Sequence, residues 1–179
     1  RDRCKDVVKS VNTKPEDVKY VIQTHLHLDH SGAIGHFPNA THITQRLEYD
    51  YAFNPDWFSH PAYIRADFDK PNIRWKFLQG RKTDFYDVYG DGVIKVIFTP
   101  GHAPGHISLY SAKDNFIISG DVIFKNSIGR TDLPGGDFNT LIKTINNKIL
   151  SLADNVIIYC GHGPITTVGD ERKNNPFLN

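Results

Sequence analysis

The chain has 179 residues, of which 39% are hydrophobic and 23% charged, and its formal net charge at pH 7 is +1. These values predict a single soluble, globular domain spanning residues 1–179, and they exclude a strong general attraction to nucleic acid or to an acidic membrane surface. No apolar run reaches the length of a membrane span. Only Cys4 and Cys160 are present, too few for a disulfide framework, so we expect a cytoplasmic protein.

The first third of the chain predicts short helices and strands. The expected elements are a helix over 2–11, a strand over 18–24, a short helix over 32–36, a strand over 41–44 and a helix over 45–53. The next segment, 54–72, has no regular period and carries Trp57 and Phe68 among polar residues. This composition is typical of a lid over a binding site, although aromatic side chains also anchor ordinary long loops.

From residue 73 onward the pattern is mainly that of β-strands. The expected elements are strands over 73–78, 85–89, 93–99, 106–111, 116–119 and 156–160, and a helix over 137–150 that Asp137 caps. The polar tail from 169 predicts a short turn or helix. Helices toward both ends and a β-rich middle predict a layered α/β fold.

The most informative stretch is His-Leu-His-Leu-Asp-His, which directly follows the strand expected over 18–24. It places His25, His27, Asp29 and His30 within six positions. In an extended chain, residues i and i+2 point the same way, so the first two histidines can reach one ion together. The other two residues follow after the chain has begun to turn and can face a second ion. Imidazole and carboxylate are ligands that Zn²⁺ accepts, so this stretch predicts a metal site.

Three more candidate ligands stand where later strands end, and each lies beside a glycine. They are His102 in Thr-Pro-Gly-His, Asp121 in Ser-Gly-Asp and His162 in Gly-His-Gly. Glycine lets a loop approach a ligand closely, and a rigid sheet can hold loop residues accurately at the ends of its strands. Each motif alone is a weak signal, but their recurrence after the first cluster indicates one shared site.

These motifs, in this order, resemble those of the metallo-β-lactamase superfamily. The resemblance covers most of the chain and implies an αββα sandwich with a two-metal site at one edge of its sheets. The implied ligands are, for the first metal, His25, His27 and His102, for the second, Asp29, His30 and His162, and for the bridge between the two, Asp121. The family fold also opens with strands before the first helix. Those strands are missing here, so we expect the N-terminus to be incomplete.

The resemblance further implies a hydrolase that acts on a small molecule. Two divalent metal ions would lower the pKa of a bound water to about 7, so that hydroxide is available to attack a substrate carbonyl. Zn²⁺ fits the ligands, which also accept Fe and Mn ions. Asp29 can orient the nucleophile and take its proton, which makes it the expected catalytic residue. His106 is not among the implied ligands and is expected to support them.

Different parts of the chain resemble two branches of this superfamily. Residues 14–110 resemble N-acyl-homoserine lactone lactonases, through Pro-Glu-Asp-Val-Lys-Tyr-Val-Ile and Thr-Pro-Gly-His-Ala-Pro-Gly-His. From residue 119 onward the chain resembles small hydroxyacylglutathione hydrolases of the glyoxalase II type, through Gly-Asp-Val-Ile-Phe and Gly-His-Gly-Pro-Ile-Thr-Thr. The substrate is therefore expected to be either a lactone or a thioester.

Four side chains are candidates for binding that substrate: Trp57 and Phe68 in the lid segment, and Phe124 and Arg130 near the third motif. Lactonases commonly have Tyr at the position of Phe124, whereas the thioester branch commonly has Phe, which cannot donate a hydrogen bond to an oxyanion. Arg130 stands where the thioester branch binds a glutathione carboxylate, although an ion pair with Asp132 would explain it equally. We favour thioester hydrolysis slightly over lactone hydrolysis.

Other classes of protein fit the sequence less well. A mononuclear-iron persulfide dioxygenase shares part of the ligand set and is the more remote alternative. A diiron electron-transfer module usually has Glu at the position of His27. A nuclease of the same fold would carry an added domain or a basic surface, which a net charge of +1 does not indicate.

Overall fold

The computed structural model describes residues 3–178, with side chains from residue 7 onward. Its α-helices are α1 (Arg3–Ser10), α2 (Leu28–Ser31), α3 (Arg46–Phe53), α4 (Arg65–Phe68), α5 (Phe138–Thr144) and α6 (Val168–Asn174). Two 3₁₀ segments cover Pro15–Asp17 and Trp57–Ala62, and a π-helical turn, Ile145–Ile149, extends α5. None of the helices within residues 3–178 has the length and apolar character that a membrane crossing needs.

The strands form two larger sheets and one hairpin. The smaller of the two sheets is parallel and consists, in spatial order, of β1 (Tyr20–Ile22), β2 (Thr41–Gln45) and β3 (Arg74–Leu78). The larger, mixed sheet contains β4 (Phe85–Asp87), β5 (Lys95–Phe98), β6 (Ile107–Ser111), β7 (Phe116–Gly120), β10 (Ile157–Cys160) and β11 (Thr166–Thr167). Its spatial order is β11-β10-β7-β6-β5-β4. The hairpin pairs β8 (Ile123–Phe124) with β9 (Ser127–Ile128).

The two larger sheets pack face to face. Ile43 and Leu78 from the parallel sheet meet Val96, Phe98 and Ile107 from the mixed sheet, and each of the five is at most 8% exposed. Successive side chains of a strand point to opposite faces, so one set of residues in each strand fills this interior while the other set faces outward.

Helices cover the two outer faces. Leu141, Ile145 and Ile149 of the α5 segment are fully buried against Ile117 and Ile158 of the mixed sheet. On the other side, a third apolar cluster joins the parallel sheet to α3 and the segment 54–72, and its members include Ala52, Tyr63, Phe68 and Trp75. The layers are therefore helix, sheet, sheet and helix, which confirms the predicted αββα arrangement.

The mixed sheet extends past the parallel sheet on the side of β7 and β10. Leu109 of β6 packs in the interior between the sheets. Its register partner Ile118 and the next partner along, Tyr159, point to the same face and are 40% and 43% exposed. The smaller sheet thus covers only part of the larger one.

The chain around the predicted ligands differs from the sequence-based expectation. The strand expected over 18–24 is confined to Tyr20–Ile22, and the helix expected over 32–36 is wrong, because the helical turn is α2, Leu28–Ser31. His27 remains extended, with φ −62° and ψ 153°, and stands at the N-terminal boundary of α2. Asp29 lies in the first turn of α2.

Other helices and strands agree in part with those predicted from the sequence. Asp137 caps α5 as predicted, since its side chain accepts a 2.6 Å hydrogen bond from the backbone N–H of Thr140. The hairpin β8–β9 and strand β11 were not predicted, because two-residue strands leave no periodic signal. The first position of the helix expected over 2–11 lies outside the described residues.

The segment 54–72 is more ordered than its sequence suggested. It contains the 3₁₀ segment Trp57–Ala62 and α4, and it is fastened to the loop before α5. Tyr51 Oη and Ser59 Oγ donate to the same carbonyl oxygen, that of Pro134, at 2.7 and 2.9 Å. These bonds tie α3 and the lid segment to the C-terminal half of the chain.

Replacing Leu141 tests the packing of α5 against the mixed sheet. Leu141 is fully buried, so Leu141→Ala should lower the free energy of unfolding by about 2–5 kcal/mol through lost burial and a residual cavity. Phe138→Ala on the same helix is the matched control, because Phe138 is 49% exposed and should cost less than half as much. Urea unfolding followed by circular dichroism measures both. Equal losses for the two variants would contradict the described packing.

Candidate metal centre

The first group of ligands lies at the ends of β1 and β5 and is buried. His25, His27 and His102 are 0%, 8% and 5% exposed, and their nearest ligand atoms lie within 4.8 Å of one another. His102 Nε2 is 3.1 Å from His27 Nδ1, and the ring of His25 stands 4.6 Å from that of His27, centroid to centroid. Three imidazole nitrogens therefore face one point.

The second group of ligands is more exposed. Asp29 and His30 belong to α2 and His162 follows β10, and their ligand atoms also lie within 4.8 Å of one another. His162 Nε2 is 3.0 Å from Asp29 Oδ2, and His30 Nε2 is 3.6 Å from the same oxygen. The side chains of His162 and Asp29 are about half exposed, so this group borders solvent while the first group does not.

Asp121 lies between the two groups. Its Oδ1 is 3.4 Å from His30 Nε2, and its Oδ2 is 3.6 Å from His102 Nε2 and 3.4 Å from His162 Nε2. One carboxylate thus contacts a member of the buried group and two members of the exposed group. This is the position that the sequence resemblance implied for a bridging ligand.

The chemistry of these side chains fits bound cations. Among the described residues, His25 Nε2, His30 Nε2 and Asp121 Oδ1 are buried polar atoms without a hydrogen-bond partner. Buried polar atoms are normally paired, because leaving one unpaired costs about 1–3 kcal/mol. A cation placed among them would satisfy nitrogen lone pairs and a carboxylate oxygen together, and imidazole and carboxylate are accepted ligands of Zn²⁺.

The buried histidines are in the neutral state that metal binding requires. Burial lowers the pKa of His27 to about 4 and lowers the pKa of His25 and His102 as well. These rings are therefore neutral at pH 7 and need not lose a proton to bind a cation. Burial also opposes the charged form of Asp121 and of His30, but their electrostatic attraction, with Oδ1 and Nε2 3.4 Å apart, lowers the pKa of Asp121 and raises that of His30.

Surrounding groups fix the orientation of the ligand rings. His102 Nδ1 donates to the carbonyl oxygen of Arg130 at 2.8 Å, which directs its Nε2 toward the site. The backbone N–H of Asp121 donates to His106 Nε2 at 3.1 Å, so the neutral His106 ring carries its proton on Nδ1, 3.0 Å from Thr99 Oγ1. His106 is fully buried and supports Asp121, as the sequence led us to expect.

Glycine is required where the loops meet. A Cβ on Gly161 would stand 2.0 Å from Asp121 Oδ1, and a Cβ on Gly129 would stand 1.8 Å from the Asp121 carbonyl oxygen. Neither position could carry a side chain without moving Asp121. The glycine beside His162 is thus explained by close approach to the central carboxylate.

A cavity of about 400 Å³ opens beside the ligands. Phe124 and Arg130, which we expected to bind substrate, both line it, and the Phe124 ring lies 5.9 Å from that of His162. The other two candidates for substrate binding, in the lid segment, do not line this cavity. Phe68 is 1% exposed inside the cluster between α3 and the parallel sheet, and Trp57 is 73% exposed and stacks on Phe58. The lid segment reaches the cavity wall through Ala62 instead.

Sequence reasoning missed one buried group next to the ligands. Glu48 is 0% exposed within α3, and its carboxylate accepts hydrogen bonds from both loops that supply the buried histidines. The helix containing it was predicted, but an acidic residue in a short helix gives no sign of which side it faces. Its burial emerges only from the packing of α3 against those loops.

The sequence matches the Metallo-beta-lactamase superfamily over residues 4–162, which is most of the chain. The chain belongs to that superfamily. The architecture and the ligand order described above agree with the membership.

Two curated relatives within the superfamily differ in the part of the chain they match. N-acyl homoserine lactonase AttM of Rhizobium radiobacter is 66% identical over 106 residues, which cover 59% of this chain but only 40% of that protein. Hydroxyacylglutathione hydrolase GloC of Haemophilus influenzae is 37% identical over 176 residues, which cover 91% of this chain and 77% of that protein. The chain therefore spans less than half the length of the lactonase that it matches.

Solved structures resemble the whole described fold. The BLEG-1 B3 metallo-beta-lactamase superposes with a TM-score of 0.78 at 32% identity, covering 99% of this chain and 83% of that one. A protein solved in a di-iron-bound form gives a TM-score of 0.79 at 28% identity, with 99% and 84% covered. A metallo-beta-lactamase and a protein that binds two iron ions thus share this fold.

The close contact at Gly161 can be tested by adding a methyl group. Gly161→Ala should displace the Asp121 carboxylate and lower the affinity for Zn²⁺ by at least about tenfold, because the added Cβ would stand 2.0 Å from Oδ1. Gly90→Ala is the control, since Gly90 has open space around its Cβ and a φ of +75°. Gly90→Ala should lower the free energy of unfolding without changing the affinity for Zn²⁺. Competition with a chromogenic chelator measures affinity, and equal affinities for both variants would contradict the described contact.

Proposed function

We propose that the protein is a cytoplasmic, dinuclear metal-dependent hydrolase that cleaves a small-molecule acyl ester. The convergence of seven ligand side chains beside a cavity, with buried unpaired nitrogen and oxygen atoms among the described residues, is the observation that supports it. The proposed ligands are His25, His27 and His102 for one cation, Asp29, His30 and His162 for the other, and Asp121 for both. Three imidazoles fit Zn²⁺ best, and the di-iron-bound relative makes iron the alternative to measure.

The chain's own contribution to hydrolysis would be orientation and proton transfer. Divalent cations supply Lewis acidity, which favours loss of a proton from the attacking water and polarises the substrate carbonyl. Asp29 lines the cavity with its side chain about half exposed. Its carboxylate can accept that proton and return it to the oxygen or sulfur that leaves the acyl group.

Of the two candidate substrate classes, we infer that a neutral lactone is cleaved faster than a glutathione thioester. The opposite preference, drawn from the sequence, depended on Phe124 and on Arg130 being available to a substrate carboxylate. Arg130 instead binds Asp132 through Nε and Nη2, at 2.8 and 2.7 Å, so its charge is already matched. This hydrogen bond lowers the pKa of Asp132 to about 2, so the pair is ionised at neutral pH.

The cavity wall and the comparisons support the same inference. Apart from the proposed ligands, most of the residues that line the cavity are apolar: Leu28, Ala62, Phe124, Ile128 and Leu133, alongside Ser127 and Arg130. An acyl chain without charge fits such a wall better than the charged glutathione moiety does. The 66% identity to a lactonase extends over 59% of this chain.

Thioester hydrolysis is the second candidate because of Phe124. Its ring lies against His162 in the cavity and has no hydroxyl group to donate to a developing oxyanion. The match to a hydroxyacylglutathione hydrolase, at 37% identity, also covers 91% of the chain.

A side-by-side assay tests the proposal. With two equivalents of Zn²⁺ bound per chain, kcat/KM for an N-acyl-homoserine lactone should exceed that for a hydroxyacylglutathione by at least about tenfold, and chelation should abolish both activities. The reverse order would establish the second candidate. If neither substrate nor a simple aryl ester is hydrolysed by protein that holds two metal ions, the hydrolase proposal fails.

The Arg130–Asp132 ion pair predicts a change of selectivity. Asp132→Asn should raise kcat/KM for the anionic thioester about three- to tenfold, because the guanidinium becomes available to a carboxylate, while the value for the neutral lactone changes less than twofold. The gain should disappear in 0.5 M salt, since the side chains are exposed.

Asp50→Asn is the control for this experiment. It disrupts a similarly exposed pair, Arg46 with Asp50 at 3.0 Å, whose residues do not line the metal-side cavity. It should leave both kcat/KM values unchanged. An equal rise for lactone and thioester in Asp132→Asn would show that Arg130 does not discriminate by charge.

A further inference from the structure

Glu48 has a buried carboxylate that accepts three hydrogen bonds. It is 0% exposed, and its Oε1 accepts from the backbone N–H of Leu26 at 3.0 Å and from Tyr63 Oη at 3.2 Å. Its Oε2 accepts from the backbone N–H of Gly105 at 2.9 Å. All three partners donate, so the ionised carboxylate, which only accepts, satisfies every bond.

These donors come from three separate parts of the chain, and each adjoins the buried ligand group. Leu26 stands between His25 and His27, and Gly105 stands three positions after His102 in the loop between β5 and β6. Tyr63 belongs to the lid segment, and its ring packs edge-on against His27 with 4.7 Å between centroids. A single carboxylate therefore connects both histidine-bearing loops and the segment that covers them.

The local packing is built around this contact. A Cβ on Gly105 would stand 2.4 Å from Glu48 Cβ and 2.4 Å from Glu48 N, so only glycine brings its N–H this close to α3. The carboxylate also satisfies two loop N–H groups in a buried region, where leaving them unpaired would be costly. Burial raises the pKa of Glu48, a cost that an apolar residue at this position would not carry.

We propose that Glu48 is a positioning residue that sets the spacing between the His25–His27 loop and the His102 loop, and thereby the affinity of the buried group for its cation. It touches neither substrate nor the ligand nitrogens, and it acts through the backbone at Leu26 and Gly105. The inference depends on the proposed metal centre. Replacing a residue that orients metal ligands without binding the metal itself commonly lowers metal affinity by about 10- to 100-fold.

The test is Glu48→Gln in the full chain, with Zn²⁺ affinity measured by chelator competition. The amide keeps the shape of the side chain but has one acceptor oxygen, so its NH₂ faces one of the loop N–H donors. The affinity of the tighter site should fall by about 10- to 100-fold. The Co²⁺-loaded variant should also show an altered visible absorption spectrum, because the geometry of the three nitrogens changes.

Glu171→Gln is the matched control. Glu171 is 1% exposed and also accepts three hydrogen bonds, from Thr166 Oγ1 at 2.6 Å, Asn126 N at 2.9 Å and Asn175 Nδ2 at 2.8 Å. None of these partners adjoins a ligand of the buried group. The control should lower Tm with and without Zn²⁺ by the same amount, whereas Glu48→Gln should also reduce the rise in Tm that Zn²⁺ produces.

The outcomes separate this inference from the proposed function. If the unaltered protein binds no Zn²⁺, the metal centre itself is refuted. If it binds Zn²⁺ and Glu48→Gln binds with the same affinity and spectrum, the positioning role is refuted while the metal centre stands. Should Glu48→Gln fail to fold, Glu48→Asp replaces it, because it keeps the charge and shortens the reach of the carboxylate to the two loop N–H groups. An affinity loss of about threefold is then expected, and an unchanged affinity overturns the proposal.

Discussion

The main constraint on this structure is that several polar atoms of the candidate metal ligands are buried without hydrogen-bond partners in the described part of the chain. His25 Nε2, His30 Nε2 and Asp121 Oδ1 are unpaired among the described residues, each at a cost of about 1–3 kcal/mol. Hydrogen bonds at other atoms of His25 and Asp121 help to hold these two residues in place. Thr24 occupies the other nitrogen of His25, and His106 holds the backbone of Asp121. Such an arrangement couples folding to cation binding, because the ion satisfies what the chain cannot.

The convergence of the seven candidate ligands could be predicted from the sequence because their chemistry and their positions agreed. Histidine and aspartate recur where strands end, and a sheet brings the ends of its strands to one edge, so the seven residues meet however the intervening loops run. The layered fold followed from strand and helix periods of moderate length. These signals are local to each segment and survive small errors in the boundaries of elements.

Side-chain partners between distant segments could not be predicted in the same way. Phe68 and Trp57 are both aromatic residues of one polar segment, yet one is 1% exposed and the other 73%, because only the packing of α4 on the core decides between them. The helical turn α2 depends on the extended backbone of His27 rather than on a conventional cap. Glu48 is buried because two loops that are far apart in sequence meet on α3.

In the proposed hydrolase, the reaction and the choice of substrate would depend on groups in different environments. The buried histidines and the carboxylates behind them are held by backbone hydrogen bonds and glycine contacts, so they tolerate little change. The Arg130–Asp132 pair lies at the exposed rim of the same cavity, where one substitution alters charge without disturbing the core. The division of this chain's resemblances between lactonases and thioester hydrolases would be expected from a scaffold that keeps its three buried histidines fixed and varies the exposed rim of the cavity.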